Sequence, residues 1–355
     1  MFFAYDRPRC RGFGEVSVFG SFLGRDIAID LGTANTLVYV RGEGVVLREP
    51  SVIAIDNTRG KVLAVGTEAK QMLGRTPGSI TALRPMKDGV IRDQDYATEM
   101  IRHFIRGVHK NRYLNKPRVV ICVPIGATQV ERKTIKEAAK LAGAREVFLI
   151  PEPMAAAIGA SLPVGEARGS MVCDIGGGTS EIAVISLGGI VSEKPITVGG
   201  DAIDDAIINW IKREYSLHIG YQTAEKIKIE AGSAYPSPEL AHAEIRGRDV
   251  VTGLPRSVTV TPEEIRKAIE EPVIAIIDAI KAALDQTPPE LSSDIIDRGI
   301  VLTGGGALLN GLPQRVESET GIVAYVAKDP KDCVALGSGM CLENFESLKR
   351  VFIDA

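Results

Sequence analysis

Histidine, cysteine and tryptophan are scarce in this chain, and the scarcity removes whole classes of function. Only four histidines occur, His103, His109, His218 and His242. No two stand four residues apart, as a helical zinc pair requires. None is near a plausible nucleophile in the sequence, so neither a metal centre of histidines nor a catalytic triad is expected. The five cysteines, Cys10, Cys122, Cys173, Cys333 and Cys341, are odd in number, widely spaced and without a C-x-x-C pair. That excludes a disulfide framework and a cysteine zinc site, and it fits a reducing cytoplasm. Cys122 and Cys173 lie inside apolar runs and read as core filler. No basic excess exists: 42 Lys and Arg stand against 45 Asp and Glu, for a net charge of −3. Nucleic acid held by bulk charge is therefore not an expected partner. No apolar run reaches the roughly 18 residues of a membrane-spanning helix. The first 25 residues carry Asp6, Arg7, Arg9, Arg11 and Glu15, which breaks up any signal-peptide core. Residues 1–25 therefore read as an N-terminal extension. Its mildly apolar stretch Val16–Gly24 suits either a peripheral membrane contact or a frayed end.

What is present is the composition of a globular protein, 45% hydrophobic and 25% charged over 355 residues, enough for about two or three domains. From Asp26 onward strands and helices alternate, an α/β pattern. Asp26–Asp30 reads as a strand, Leu31–Thr36 as a turn and Leu37–Val40 as a second strand. A P-loop needs strand, turn and helix with a GK[ST] signature, which this chain lacks. The unit recurs: Met171–Val184 aligns without a gap to Ile27–Val40, at a constant offset of 144 residues. Asp174 falls over Asp30 and Gly176 over Gly32. A repeat of this length predicts two similar lobes rather than a solenoid.

The chemistry of such a hairpin is definable. A glycine-rich turn lets several backbone N–H groups face a phosphate without Cβ obstruction. Thr33, Thr36, Thr179 and Ser180 add hydroxyl donors. The Asp closing each first strand suits Mg²⁺, which keeps several waters and takes only one or two carboxylates. Two facing copies would grip a triphosphate from both sides. A third cluster, Thr303-Gly-Gly-Gly306, follows the buried strand Ile300–Leu302, and Ala307–Leu309 reads as a helix start. It reads as a nucleoside contact or as a plain strand-to-helix turn.

Helix signals lie between these motifs. Thr128-Gln-Val-Glu131 is a capping box for a helix ending at Gly143. Thr261-Pro-Glu-Glu264 is another, opening a helix whose Ile265, Ile269, Ile276 and Ile280 form one stripe crossed by Pro272. Met100, Ile101, Phe104, Ile105 and Val108 form a similar core stripe, and Trp210 among Ile207, Ile208 and Ile211 is expected in the core.

Taken in order, the Asp30 hairpin, the Asp174 hairpin and the Thr303–Gly306 turn resemble the actin-like ATPase superfamily. The finer resemblance is to the MreB/Mbl family of bacterial actin homologues. It is carried by Asp30–Thr36, Glu49-Pro-Ser51, Gly74–Gly78, Arg84–Val90, Val123–Gly126, Glu152–Gly159, Asp174–Thr179, Val198-Gly-Gly-Asp201 and Val334–Gly337. It spans about residues 26–343.

The resemblance implies a two-lobe fold of duplicated ribonuclease-H-like domains, each with a small insert. Lobe I would hold 26–53, 96–163 and 330–355, with an insert at 54–95. Lobe II would hold 164–203 and 251–329, with an insert at 204–250. It implies ATP and Mg²⁺ as cofactors. Thr33, Ala34 and Asn35 would contact the phosphates from one side and Gly176, Gly177 and Gly178 from the other. Glu225, Lys226, Ile227 and Lys228, on a helix opening after Thr223, would contact ribose and adenine. Gly304, Gly305, Gly306, Ala307 and Leu308 would close over the adenosine. Asp30 and Asp174 would hold Mg²⁺ through water. Glu152 would orient the attacking water with help from Thr179, following the positioning logic of phosphoryl transfer.

The implied activity is a weak ATPase coupled to filament dynamics, or a polymerising scaffold with negligible hydrolysis. The implied partners are further copies of the chain, the inner face of the cytoplasmic membrane, and cell-wall elongation proteins of the MreC or RodZ type. The implied location is cytoplasmic, at the membrane periphery. Three places depart from the family pattern: Pro151 stands where an acidic residue is common, Arg92 and Gln94 flank Asp93 where a small residue and Phe are usual, and Asn115 follows Tyr113-Leu114 in the membrane-binding loop. A kinase of small molecules on the same fold would need a substrate pocket and an Asp base near the γ-phosphate, and no sugar-type motif is found.

Overall fold

A computed structural model of the chain describes residues 25–108 and 116–353. The extension 1–24 and the Tyr113-Leu114 loop lie outside the described residues.

Two five-stranded sheets carry the fold, and their strand orders correspond one to one. The first runs Gly44–Pro50, Asn35–Val40, Ile27–Leu31, Arg118–Val123, Glu146–Pro151. The second runs Gly189–Ile196, Ser180–Ser186, Ser170–Ile175, Ile300–Thr303, Ala324–Val326. In both, the first two pairings are antiparallel and the last two parallel. The parallel pairs require crossovers, and the helix Gln129–Ala142 supplies one of them in the first sheet.

The repeat holds at the level of single residues. Ile27 pairs with Val40 and Asp30 with Leu37; Met171 pairs with Val184 and Asp174 with Glu181. Each second-copy pair is its first-copy counterpart moved by the sequence offset, with no slip of register. A slip of one residue would have turned one of the two aspartates to the opposite face of its sheet.

Period-two alternation then divides the core. Ile27, Ile29 and Leu31 face one apolar cluster, shared with Met100, Ile101 and Phe104 of the helix Gln94–Val108. Met171, Cys173 and Ile175 face the cluster of the second sheet. Ala28 and Val172 point the other way, into a third cluster between the sheets. Strands buried on both faces lose the polar alternation, and this is why Arg118–Val123 and Ser170–Ile175 read as near-continuous apolar runs. Cys122 and Cys173 are buried as the sequence predicts.

Two helices, Glu152–Gly159 and Cys333–Glu343, fill the layer between the sheets. They cross at glycines. A Cβ on Gly159 would overlap the Cys333 carbonyl, and one on Gly337 the Ala155 carbonyl. Only glycine allows that approach. Smaller antiparallel sheets flank the large ones: Lys61–Val65, Ile53–Asp56 and Ile80–Leu83 beside the first, and Leu217–His218, Ala243–Asp249 and Pro255–Val260 beside the second.

Both capping boxes form, at Thr128 with Glu131 and at Thr261 with Glu264. Four local expectations are corrected. The helix opened by Thr261 is two helices, Pro262–Ala268 and Glu270–Asp285. Pro272 has no N–H to donate to the Ala268 carbonyl and its ring would clash with it in a continuous helix, so the chain breaks at Ile269. Ala307–Leu309 does not start an α-helix: Gly306–Leu308 is one 3₁₀ turn, and the helix begins at Leu312 after Gly311 in the left-handed region. The helix carrying Glu225 opens at Tyr221, ahead of Thr223. Trp210 is half-buried, edge-on to Tyr215 at the rim of the core.

Candidate functional site

The two hairpin turns meet. A Cβ on Gly177 would lie 2.7 Å from the Ala34 Cβ, and one on Gly178 would lie 2.8 Å from the Thr33 hydroxyl. Glycine at both positions is what lets the tips come together. Thr33 is buried and Asn35 exposed beside it, while Thr179 is half-buried.

A third, shorter hairpin completes the junction. Met86–Lys87 pairs with Val90–Ile91 across Asp88-Gly89, both with positive φ, the geometry of a two-residue type I′ turn. The Gly89 N–H donates to the Thr33 hydroxyl at 3.0 Å. A Cβ on Gly178 would lie 3.0 Å from the Asp88 nitrogen, and one on Gly89 3.4 Å from the Thr179 methyl. The Arg84–Val90 motif therefore touches both turns.

Each turn is fastened from behind by another motif. Ser51 donates through its hydroxyl to the Gly32 carbonyl at 2.6 Å and through its N–H to the Ala34 carbonyl at 3.0 Å. It also shares a hydrogen bond with Thr36. In the second copy the Gly200 and Asp201 N–H groups donate to the Gly176 and Gly177 carbonyls at 3.0 and 2.8 Å, and Ser180 donates to the Val198 carbonyl at 2.6 Å. With the outer carbonyls held, the N–H groups of Gly177 and Gly178 are left to face the tip, whereas the Gly176 N–H closes the turn on the Thr179 carbonyl at 2.8 Å and is not available to a ligand.

Four acidic side chains lie beneath the tips. Asp174, Glu152 and Glu181 are buried and Asp30 is half-buried. Burial, then the charges of Asp174 and Asp332, pushes Asp30 up to about 8. Burial pushes Asp174 up to about 6, against a 2.8 Å hydrogen bond donated by the Thr303 hydroxyl. Glu152 opens the helix Glu152–Gly159 and is held well above the ordinary range, first by burial and then by the charges of Glu181, Asp30 and Asp174. The charges that act on Asp30 are themselves carboxylates, Asp174 and Asp332. Among the described residues no three acidic, histidine or cysteine side chains converge as a metal cage. Two under-neutralised carboxylates without a cage suit a cation that keeps its own water shell.

The remaining predicted residues divide. Gly304 has φ +80°, and a Cβ there would lie 2.9 Å from an Asp174 carboxylate oxygen, so the third glycine cluster is packed on the second hairpin. Gly305 and the apolar Leu308 are exposed, Gly306 packs on Ile175, and Ala307 is buried. Lys228 lies behind the second turn, with its ammonium 2.9 Å from both the Gly200 carbonyl and Asp204. Ile227 is buried in the core. Lys226 is exposed on the far side, paired only with Glu230 at 3.8 Å. Glu225 reaches across to the first lobe's small helix and pairs with Lys70 at 2.9 Å. Gln222 and Arg75 add a second contact there at 3.1 Å, and Arg84 pairs with Asp201 at 2.8 Å. Sequence reasoning missed Glu181 and Lys70, and it named Thr303, Ser51 and the Asp88-Gly89 stretch only as parts of motifs, with no role of their own. The position of Glu181 within the repeat could have exposed it.

The comparisons with known proteins agree with this geometry. The family described as MreB/Mbl protein matches residues 24–350. The cell shape-determining protein MreB of Escherichia coli (strain K12) is 57% identical over 330 residues, covering 92% of this chain and 95% of that protein. The cell shape-determining protein Mbl of Bacillus subtilis (strain 168) is 52% identical over 326 residues, covering 92% and 98%. Among solved structures, MreB5 of Spiroplasma citri bound to ADP superposes with a TM-score of 0.88 at 35% identity, covering 92% of this chain and 98% of that one. A MamK double helical filament, at 22% identity and a TM-score of 0.76 over 90% of this chain and 98% of that one, shares the fold.

Proposed function

This chain belongs to the MreB/Mbl protein family, with the actin-like two-lobe fold, and from that premise we propose that it is an ATP-binding, ATP-hydrolysing cytoskeletal protein. It polymerises into membrane-associated filaments and organises cell-wall synthesis and cell shape. One observation carries the nucleotide part: two hairpins of identical register bring the Gly177-Gly178 tip against the Thr33-Ala34 tip, above Asp30 and Asp174. The relatives add the rest: curated ones are cell shape-determining proteins, and MreB5 of Spiroplasma citri binds ADP and AMPPNP. The lobe and insert boundaries expected from the sequence are part of the proposal.

In this reading the N–H groups of Thr33, Ala34 and Asn35 and those of Gly177 and Gly178 hold the phosphates from two sides, while Gly176, its N–H taken by the Thr179 carbonyl, contributes close approach without a side chain. Leu308 and Gly305, exposed beside the second hairpin, cover the adenosine with Gly304, Gly306 and Ala307. Lys228 serves the nucleotide from behind the turn, whereas Lys226 faces solvent. Asp30 and Asp174 hold Mg²⁺ through water, and the ion supplies charge neutralisation on the phosphates. Glu152 and Thr179 orient the attacking water. The filament is a second copy docked on the first, and wall-elongation proteins of the MreC or RodZ type and the membrane's inner face are the further partners.

Sedimentation with ATP and Mg²⁺, with and without anionic liposomes, tests this, with phosphate release read from the same tubes. Nucleotide-dependent pelleting lost in Asp174→Ala is expected. Glu152→Ala is expected to pellet without releasing phosphate. A wild-type chain that stays monomeric under every condition despite tight ATP binding refutes the filament. Pelleting of the wild type without phosphate release leaves the polymerising scaffold and refutes hydrolysis.

A further inference from the structure

The duplicated hairpins match in register but differ at one buried position. Moving Leu37 by the repeat offset gives Glu181. Both are opposite the aspartate of their own hairpin, and both are buried, Leu37 at 6% exposure and Glu181 at 1%. The residues that follow on the same face, Ala183 and Ile185, lie in the apolar layer between the sheets. The fold therefore accepts leucine at this point of the sheet. A carboxylate buried in place of an aliphatic side chain is costly unless something specific engages it. Packing does not account for Glu181.

What engages it comes from the other half of the molecule. The Ile125 N–H, in the loop Val123–Gly126 that follows a strand of the first sheet, donates to Glu181 Oε2 at 3.1 Å. The next peptide is held too: Arg132 donates to the Ile125 carbonyl at 3.3 Å. Glu152 belongs to the same half, at the end of the strand Glu146–Pro151 beside Arg118–Val123. Of the charges acting on the Glu152 carboxyl, Glu181 is the strongest. Glu181 thus stands on the second phosphate hairpin, bonded to the loop beside Glu152 and acting on Glu152 itself.

We propose that Glu181 is a positioning residue for phosphoryl transfer: its hydrogen bond to the Ile125 N–H fixes the second hairpin against the first-lobe loop and thereby sets Glu152 for the attacking water. This rests on the hydrolysis reading above and adds to it a residue that touches neither nucleotide nor water. It makes water orientation conditional on the two halves being together, because the bond spans them.

The test is steady-state phosphate release from the full chain with Mg²⁺–ATP, together with ATP affinity and melting temperature, for wild type, Glu181→Leu and Glu181→Gln. Leucine is the residue the first hairpin uses at this position, so Glu181→Leu is expected to fold and to bind ATP within about twofold of wild type. Its kcat is expected to fall about 30-fold, the scale of a small misplacement of a catalytic group. Glutamine keeps an oxygen that accepts from the Ile125 N–H, and Glu181→Gln is expected to recover about tenfold of that loss. A Glu181→Leu chain with unchanged kcat overturns the inference. So does one that loses ATP affinity in step with kcat, since a purely structural role would do that, and so does a Glu181→Gln chain as slow as Glu181→Leu. A wild type that binds ATP without releasing phosphate overturns the hydrolysis reading and this inference with it. An active wild type beside an equally active Glu181→Leu overturns the inference alone.

Discussion

The Asp30 and Asp174 hairpins have one backbone and two chemistries. Their cross-strand registers superimpose, their glycines Gly32 and Gly176 occupy the same step, and each carries its aspartate on the face toward the interlayer helices. Yet Asp174 accepts a hydrogen bond from Thr303 on the neighbouring parallel strand, while the corresponding neighbour of Asp30, one step beyond the Ile29–Ile121 pair, is Cys122. The Cys122 thiol is occupied with Ser338 at 2.7 Å. The tips differ as well: Gly177 and Gly178 in the second copy stand where the first has Thr33 and Ala34. Duplication preserved the cradle, and the side chains around it divide the work. The first hairpin supplies bulk and a hydroxyl at the junction, and the second supplies the clearance.

The largest effect is expected where that division is reversed. In Gly178→Ala the added Cβ meets the Thr33 hydroxyl at 2.8 Å and the Asp88 nitrogen at 3.0 Å, and backbone cannot retreat as a side-chain end can. ATP affinity is expected to fall about 100-fold, read by titration with a fluorescent nucleotide, as misplaced phosphate donors would cause. The equivalent first-copy change, Ala34→Gly, only removes a methyl and is expected to cost less than about threefold. Equal losses in the two variants would mean that the hairpins are interchangeable and that the close approach is incidental.

That prediction rests on a part of the structure that was readable in advance. The strand–turn–strand units, their repeat offset, both capping boxes and the Met100–Ile105 stripe follow from local spacing, because hairpin register and helix periodicity are set by neighbours in sequence. The partners of the site are not local. Ser51 with Gly32, Gly89 with Thr33, Thr303 with Asp174 and Ile125 with Glu181 join residues from 19 to 129 positions apart, and no periodicity marks such pairs. Glu225 illustrates the limit. Its helix was recognisable from the chain, but its ion pair with Lys70 needed the two inserts placed against each other. Lys226 and Lys228 look alike in sequence, and only the helix turn decides that one faces solvent and the other the second hairpin.

The second prediction separates the aspartates by pH, without nucleotide or Mg²⁺. Asp30 titrates near 8 and Asp174 near 6 in the folded chain, against an ordinary 3.8. A raised carboxyl keeps its proton folded and releases it unfolded, so stability falls as pH rises from about 4 to the folded value. Asn cannot ionise and removes that fall. The gain in melting temperature of Asp30→Asn over wild type is expected to keep growing up to about pH 8. The gain of Asp174→Asn is expected to flatten above about pH 6, apart from the smaller relief it gives Asp30 by removing a neighbouring charge. Matching pH profiles for the two variants would show that Thr303 does not distinguish the copies.

The smallest effect isolates that one hydroxyl. Thr303→Val keeps the β-branched shape in a fully buried strand and removes only the O–H that Asp174 accepts. The bond is worth about 1.5–3 kcal/mol at a pH where Asp174 is ionised, since one partner is charged. Below about pH 5 Asp174 holds its own proton, and most of the difference is expected to vanish. The same loss raises the Asp174 carboxyl toward the value of Asp30. Apparent affinity for Mg²⁺–ATP is therefore expected to drop about threefold near pH 6.5 and to return to wild type near pH 8.5, where Asp174 is ionised with or without the donor. The converse change is Cys122→Thr, which offers a hydroxyl at the equivalent step beside Asp30. It is expected to lower the pH at which Asp30→Asn stops gaining stability over its own parent. If Thr303→Val shifts nothing while Cys122→Thr shifts Asp30, the difference between the hairpins lies in burial around the first rather than in the hydrogen bond of the second.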